Sequence, residues 1–207
     1  NLWKLRTGHL STSGEYDDFT KINQALEELS TAPIFIDDVA ITNIMDIKSK
    51  ARRLQIEKGL GLLIIDYLQL MEGLKGTENR VQEIAEITRA LKGIARELNI
   101  PILVLSQLSR AVEMTGGPAI PRLAHLRESG SIEQDADVVM FIYRKKVDRY
   151  YANRDLPPED QHLAEIYIAK HRNGPTGTVK LFFDEEKASF KSLSKEFEQQ
   201  TNEEVAF

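Results

Sequence analysis

Apolar residues follow two textures along this chain. Some form short unbroken runs, and others return every third or fourth position over longer stretches. The unbroken runs are residues 33–36, 62–65, 102–105 and 138–143. Runs of that length without period-two alternation predict strands buried on both faces, as in a parallel sheet. The helical spacing covers residues 17–29 (Ile22, Ala25, Leu26, Leu29), 42–58 (Ile44, Ile47, Ala51, Leu54) and 77–99 (Val81, Ile84, Leu91, Ala95, Leu98). Asp17 or Asp18 is placed to cap the first of these helices and Asn99 to end the last, with Pro101 opening the strand that follows. Strands alternating with helical crossovers of about a dozen residues or more predict an α/β fold with a mostly parallel sheet flanked by helices.

Beyond residue 143 the texture changes. Residues 144–163 are first basic and then acidic, and predict a solvated surface loop. Two alternating stretches, 165–169 and 178–183, flank Lys170-His171-Arg172-Asn173-Gly174-Pro175-Thr176-Gly177. Asn-Gly-Pro with a second glycine is a turn signal, so a C-terminal antiparallel hairpin is expected, with one more short strand at 184–190. Residues 1–16 show no period, and Trp3 and Leu5 are expected to pack on the domain edge. The organisation expected is one domain over residues 1–190 and an acidic, mobile tail over 191–207.

Composition narrows this further. A chain of 207 residues with 42% hydrophobic and 29% charged residues can bury an ordinary core. Its formal net charge of −5 excludes a surface that is basic all over, so a nucleic-acid partner has to be met by local loops. The absence of cysteine excludes disulfides and thiolate metal sites. The four histidines, His9, His125, His162 and His171, are too far apart for a local metal motif. No apolar run approaches a membrane span, and residues 1–15 do not resemble a signal peptide.

Candidate chemistry collects where the apolar runs stop. The 62–65 run ends abruptly at Asp66. Ligands of open α/β sheets sit outside the carboxyl ends of strands, and an acid there can hold Mg²⁺ beside bound phosphates or simply cap the next turn. The acids Asp37-Asp38 after the 33–36 run suit a structural role as caps or acceptors. Gln107, after the 102–105 run, can hydrogen-bond a terminal phosphate and orient water, or merely leave the core. The stretch 126–137 is dense in polar side chains, where Gly130 and Ser131 offer backbone N–H groups and Arg127 a guanidinium to a phosphate. Lys170 and Arg172 put two cations at the hairpin neck, a site that is as readily only solvated.

In order, the segments Ile65-Asp66-Tyr67-Leu68-Gln69-Leu70-Met71, Glu78-Asn79-Arg80, Leu105-Ser106-Gln107-Leu108-Ser109-Arg110, Arg127-Glu128-Ser129-Gly130-Ser131-Ile132-Glu133-Gln134-Asp135-Ala136-Asp137 and the hairpin turn are diagnostic. With them the chain resembles the C-terminal ATPase domain of the bacterial replicative DNA helicase, the hexameric DnaB type, over nearly its whole length. The resemblance implies a RecA-like fold and ATP hydrolysis with Mg²⁺. It also implies 5′-to-3′ translocation on single-stranded DNA by a homo-hexameric ring. Asp66 is then similar to the Walker B acid that holds the metal, and Gln107 to the γ-phosphate sensor. Arg127, Glu128 and Gly130 resemble the channel loop that contacts the DNA backbone. Lys170 and Arg172 resemble the pair that reaches a neighbour's nucleotide, Arg172 being the arginine finger. Primase and a helicase loader are the implied partners, and the implied setting is cytoplasmic with no membrane attachment.

The sequence departs from that pattern in two places. No Gly-x-x-x-x-Gly-Lys-[Ser/Thr] is present, nor any Gly-Lys pair. The chain is therefore expected to be a piece whose P-loop precedes it, and to be inactive alone. Residues 114–121 also differ from the charged stretch the family carries there. The alternative from another class is a non-motor RecA-like module for oligomerisation or partner docking. A P-loop encoded upstream separates the two.

Overall fold

The computed structural model describes residues 1–12, 17–39, 42–73, 79–114 and 116–193. The chain forms two compact units, one from Asn1–Asp38 with the chain from Phe182 onward, the other from Val39–Leu181.

In the first unit, α1 (Leu2–Thr7) is a short helix that the sequence pattern does not predict. Asn1 caps it by accepting from the Trp3 N–H, and Gly8, at φ 70°, ends it in the left-handed region. Trp3 and Leu5 are exposed rather than packed on an edge, and Trp3 instead stacks on His9 at 5.3 Å between ring centroids. Helix α2 (Asp18–Thr31) starts as expected, with Asp17 accepting from the Phe19 N–H at 3.0 Å. The run at 33–36 is not a strand, and Ile34, Phe35 and Ile36 are exposed.

The second unit carries the parallel pairing. Strand β1 (Thr42–Asn43) pairs with β3 (Met71–Glu72), and β2 (Leu63–Ile65) with β4 (Ile102–Val104). Helices α3 (Ile44–Lys58) and α4 (Arg80–Leu98) supply the crossovers. Asn43 caps α3 by accepting from the N–H groups of Met45 and Asp46, and Asn79 caps α4 by accepting from Val81. Asn99 ends α4 at φ 50°, as its position suggests. Helix α4 begins at Arg80 behind the Asn79 cap, and the start expected at residue 77 lies outside the described residues.

One core joins these elements. Ile84, Ile87, Leu91, Ile94 and Leu98 of α4 and Ile44 and Ala51 of α3 pack with Ile65, Leu68 and Met71. Lys48 and Arg52 tie the helices together by sharing Glu97 at 2.7 and 2.8 Å, so the basic face of α3 is only partly a solvated one. The helices cover one face of the β2–β4 pair. Leu63 and Val104 join the core, whereas Ile64, 56% exposed, and Leu103, 44% exposed, point to the other face. The expectation of strands buried on both faces therefore fails for this pair. Strand β5 (Val138–Tyr143) likewise alternates, with Val139, Phe141 and Tyr143 buried and Val138, Met140 and Ile142 exposed.

Strand β5 leads the four-stranded sheet β5-β6-β7-β8, where β6 is Leu163–His171, β7 Gly177–Asp184 and β8 Ser189–Ser192. Strands β5 and β6 are antiparallel, with Phe141 opposite Tyr167. The chain passes from the second unit to the first within β7. The α/β class with parallel pairs and a C-terminal antiparallel sheet is as the sequence predicts. Of the expected 191–207 tail, the part beyond Leu193 lies outside the described residues.

The 144–163 excursion is more than a solvated loop. Helix α5 (Gly130–Asp135) precedes β5, and α6 (Pro158–Gln161) lies within the excursion. Asp148 is only 8% exposed and accepts from the Tyr143 hydroxyl at 2.7 Å and from the N–H groups of Ala119 and Tyr150 at 2.8 and 2.9 Å. Burial pushes its carboxyl upward, but these donors outweigh burial and hold it below the usual carboxylate value. Its stabilising contribution is thus present above the unfolded-state value of 3.8 and lost as pH falls through the lower folded value. Asp148→Asn is expected to cost about 1–3 kcal/mol at neutral pH. Urea unfolding should show that gap closing in acid. A gap that persists unchanged at low pH contradicts the titration.

Candidate functional site

The β2–β4 register places Ile65 opposite Val104, so both strands end at one edge. Backbone bonds continue just past it, from the Leu105 N–H to the Ile65 carbonyl and from the Leu68 N–H to the Leu105 carbonyl, each 2.9 Å. Asp66 and Gln107, far apart in sequence, therefore emerge at the same carboxyl edge. Asp66 is exposed and has no hydrogen bond or ion pair among the described residues. The peptide bond that joins it to Tyr67 is cis. The Gln107 side chain is also exposed and without a polar partner among the described residues, while its backbone is held.

The group that holds it is Gln69, to which sequence reading assigned no role. Its amide accepts from the Gln107 N–H at 3.2 Å and donates to the Gln107 carbonyl at 3.3 Å and to Ser106 Oγ at 3.0 Å. Arg80 braces this turn by donating to the carbonyls of Gln69 and Met71 at 2.8 and 3.2 Å, and it pairs with Glu83. Gly73 donates its N–H to Glu83 at 2.7 Å. That N–H, with Arg80, holds the Glu83 carboxyl below its usual value. A cleft of about 190 Å³ opens here, lined by Gln69, Arg80, Ser106, Gln107 and His125 among others. The only available signal for Gln69 was a polar residue inside an otherwise apolar segment.

The remaining candidates gather around α5. Arg127 and Glu128 lie in the 3₁₀ segment Leu123–Ser129, and Gly130 begins α5; the Arg127 and Glu128 side chains are outside the described residues. Helix α5 docks on α4 through Thr88, whose hydroxyl donates to Asp135 at 2.7 Å. Lys170 Nζ donates to the carbonyls of Glu133 and Gln134 at 2.5 and 3.3 Å, at the end of the same helix. Arg172 donates from Nη1 to Asp137 Oδ1 at 3.2 Å and from its backbone N–H to the Asp137 carbonyl at 2.8 Å. Lys92 is the other partner of Asp137, and its hydrogen bond, followed by the nearby cations, holds that carboxyl below its usual value. The structure thus joins Asp66 with Gln107, and Lys170 and Arg172 with α5. The hairpin cations take their polar partners from the α5 region and not from the Asp66 edge.

The sequence model of the DnaB-like helicase C-terminal domain matches residues 1–192. The chain belongs to the DnaB-like helicase C-terminal domain family. Among members of that family, the replicative DNA helicase DnaB of Geobacillus stearothermophilus is 48% identical over 200 residues. That match covers 96% of this chain and 42% of the relative. The replicative DNA helicase DnaC of Bacillus subtilis (strain 168) is 47% identical over 199 residues, covering 96% of this chain and 41% of the relative. The chain thus spans about two fifths of these DnaB-family proteins. Among solved structures, a DnaB-like replicative helicase, solved in a study of its interactions with primase, matches with a TM-score of 0.82 and 39% identity, covering 94% of this chain and 45% of that one. A second solved structure, of an ATPase domain, matches with the same TM-score and identity over 94% of this chain and 66% of its own. The fold is RecA-like α/β, in agreement with these neighbours. Among the described residues, no helix is long and apolar enough to cross a membrane.

Proposed function

We propose that this chain is part of the ATP-hydrolysing motor domain of a hexameric replicative DNA helicase that moves 5′ to 3′ on single-stranded DNA. Residues 1–190 form the ATPase domain in this reading. The observation that carries it is the shared strand edge, where Asp66 and Gln107 stand exposed with their side chains unpartnered among the described residues. A carboxylate left without a counter-ion at the end of a parallel strand fits a Mg²⁺–nucleotide, because Mg²⁺ needs only one or two carboxylates beside phosphate oxygens. When bound, the metal would supply positive charge against that of the phosphates, and Asp66 would be the residue that holds it.

The chain's own groups divide the remaining work. Asp66 holds the metal, and Gln107 hydrogen-bonds the terminal phosphate and orients the attacking water. Arg127, Glu128 and Gly130 contact the DNA strand, through backbone N–H groups as well as side chains. Contacts to the phosphodiester backbone carry no base code, which suits a motor that must travel over any sequence. Contacts of this local kind also suit a chain of net charge −5. Lys170 and Arg172 reach into the site of the neighbouring subunit. The family resemblance supports primase and a helicase loader as partners and a cytoplasmic setting.

The test is unwinding by an intact helicase that carries this chain. A forked duplex with a 5′ single-stranded arm should open with ATP and Mg²⁺, and one whose only arm is 3′ should not. Binding of single-stranded DNA without ATP turnover or unwinding would instead favour a non-motor module.

A further inference from the structure

We propose that Gln69 is a positioning residue that aims Gln107 at the nucleotide, an inference that rests on Gln107 being the γ-phosphate sensor. The β2–β4 ladder runs in register through Ile65 and Val104. Beyond the rung from the Leu68 N–H the main chain turns into the 3₁₀ segment Leu68–Leu70, where the N–H groups of Leu70 and Met71 bond back to the carbonyls of Tyr67 and Leu68. The Gln69 side chain bonds the Gln107 backbone instead. A primary amide carries a carbonyl acceptor and two N–H donors, one of them on the same edge as the acceptor. Here that edge engages a single residue, the acceptor taking the Gln107 N–H at 3.2 Å and the donor reaching its carbonyl at 3.3 Å. The side chain thus adds one further rung to the ladder where the strand has already left it. Its second N–H direction serves Ser106 Oγ at 3.0 Å and fixes the residue before the sensor as well.

Gln69 is itself anchored. The half-buried amide sits on a backbone whose carbonyl accepts from Arg80 Nη2 at 2.8 Å, and Arg80 is held in turn by Glu83 at 2.5 Å. The Gln107 side chain has no such brace among the described residues, so the direction in which it leaves the sheet follows from its backbone alone. A group that must meet a phosphate oxygen at hydrogen-bond distance loses rate steeply with small misplacement, about 10²-fold for roughly 1 Å. Pinning the backbone of an otherwise free side chain is an economical way to hold that geometry.

The test is a double-mutant cycle on ATP turnover in an intact helicase carrying this chain, stimulated by single-stranded DNA. Gln69→Met keeps the length of the side chain and removes both polar functions. It is expected to lower kcat by about 10- to 100-fold, with KM for ATP changed by less than about two-fold. In a Gln107→Ala background the same substitution should cost nothing further, because the side chain it aims is gone. Gln69→Glu keeps the acceptor for the Gln107 N–H but sets a carboxylate oxygen against the Gln107 carbonyl, so it is expected to lower kcat by less than Gln69→Met does. If Gln69→Met does not fold, Gln69→Glu carries the cycle alone, with a smaller kcat loss that again requires Gln107. Independent, additive losses would overturn the proposal, as would an unchanged kcat in Gln69→Met while Gln107→Ala is impaired. An unimpaired Gln107→Ala would instead remove the sensor assignment, and this proposal with it.

Discussion

Arg172→Ala, in an intact helicase carrying this chain, is expected to lower ATP turnover by about 10³- to 10⁵-fold, the range for loss of an arginine finger. The structure gives this guanidinium a defined seat. Its Nη1 meets Asp137 Oδ1 at 3.2 Å, its backbone N–H holds the Asp137 carbonyl at 2.8 Å, and its side chain is 53% exposed. It sits where the β6–β7 hairpin turns, and its polar partner belongs to the α5–β5 junction, not to the Asp66 edge of the same chain. A head-to-tail ring brings the hairpin of one subunit to the nucleotide edge of the next. The deciding measurement is complementation in trans. Rings of Arg172→Ala subunits and rings of Asp66→Ala subunits should each be nearly inactive. Mixed rings, with subunit exchange verified independently, should regain ATPase wherever an intact Asp66 faces an intact Arg172. If no activity returns at any ratio, doping wild-type rings with the double mutant separates the remaining cases. A steep loss at low dose indicates that every site must be intact, and a proportional loss that Arg172 acts within its own subunit.

Asp66→Ala is expected to abolish Mg²⁺-dependent turnover, a loss of at least about 10³-fold, since stabilisation by a bound metal is worth several kcal/mol. It should do so with little effect on folding. Asp66 is exposed and has no hydrogen bond or ion pair among the described residues, and surface substitutions of that kind stay within about 0.5 kcal/mol. The pairing of results is what discriminates. Turnover near wild type would remove the metal-holding role, and loss of the folded circular dichroism signal would mean that the carboxylate caps the turn after β2.

Much of this was legible along the chain because local physics dictates it. Helical spacing located α2, α3 and α4, and for α3 and α4 the apolar stripe is the side that faces the core. Asp17 and Asn99 marked helix ends because their side chains or left-handed backbone satisfy groups that every helix leaves open. Asp66 and Gln107 were conspicuous as polar residues closing apolar runs, and Asn173-Gly174-Pro175 announced the hairpin.

What the sequence could not settle were the features that depend on a second element. An apolar run has no inherent side, so only the packing of α3 and α4 on one face decided that Leu63 and Ile65 are covered and Ile64 is exposed. Asp148 looked like one more charge in a polar loop until the fold brought the Ala119 N–H to it beside its near neighbours Tyr143 and Tyr150. Lys170 and Arg172 were only cations at a turn until β6 paired with β5 and carried them to α5 and Asp137. Gln69 was marked locally only as a polar residue in an apolar segment, which did not name its partner. Its role arises from the parallel register that sets it beside Gln107, and a side chain's hydrogen-bond partner across a sheet is fixed by strand pairing, not by its sequence neighbours.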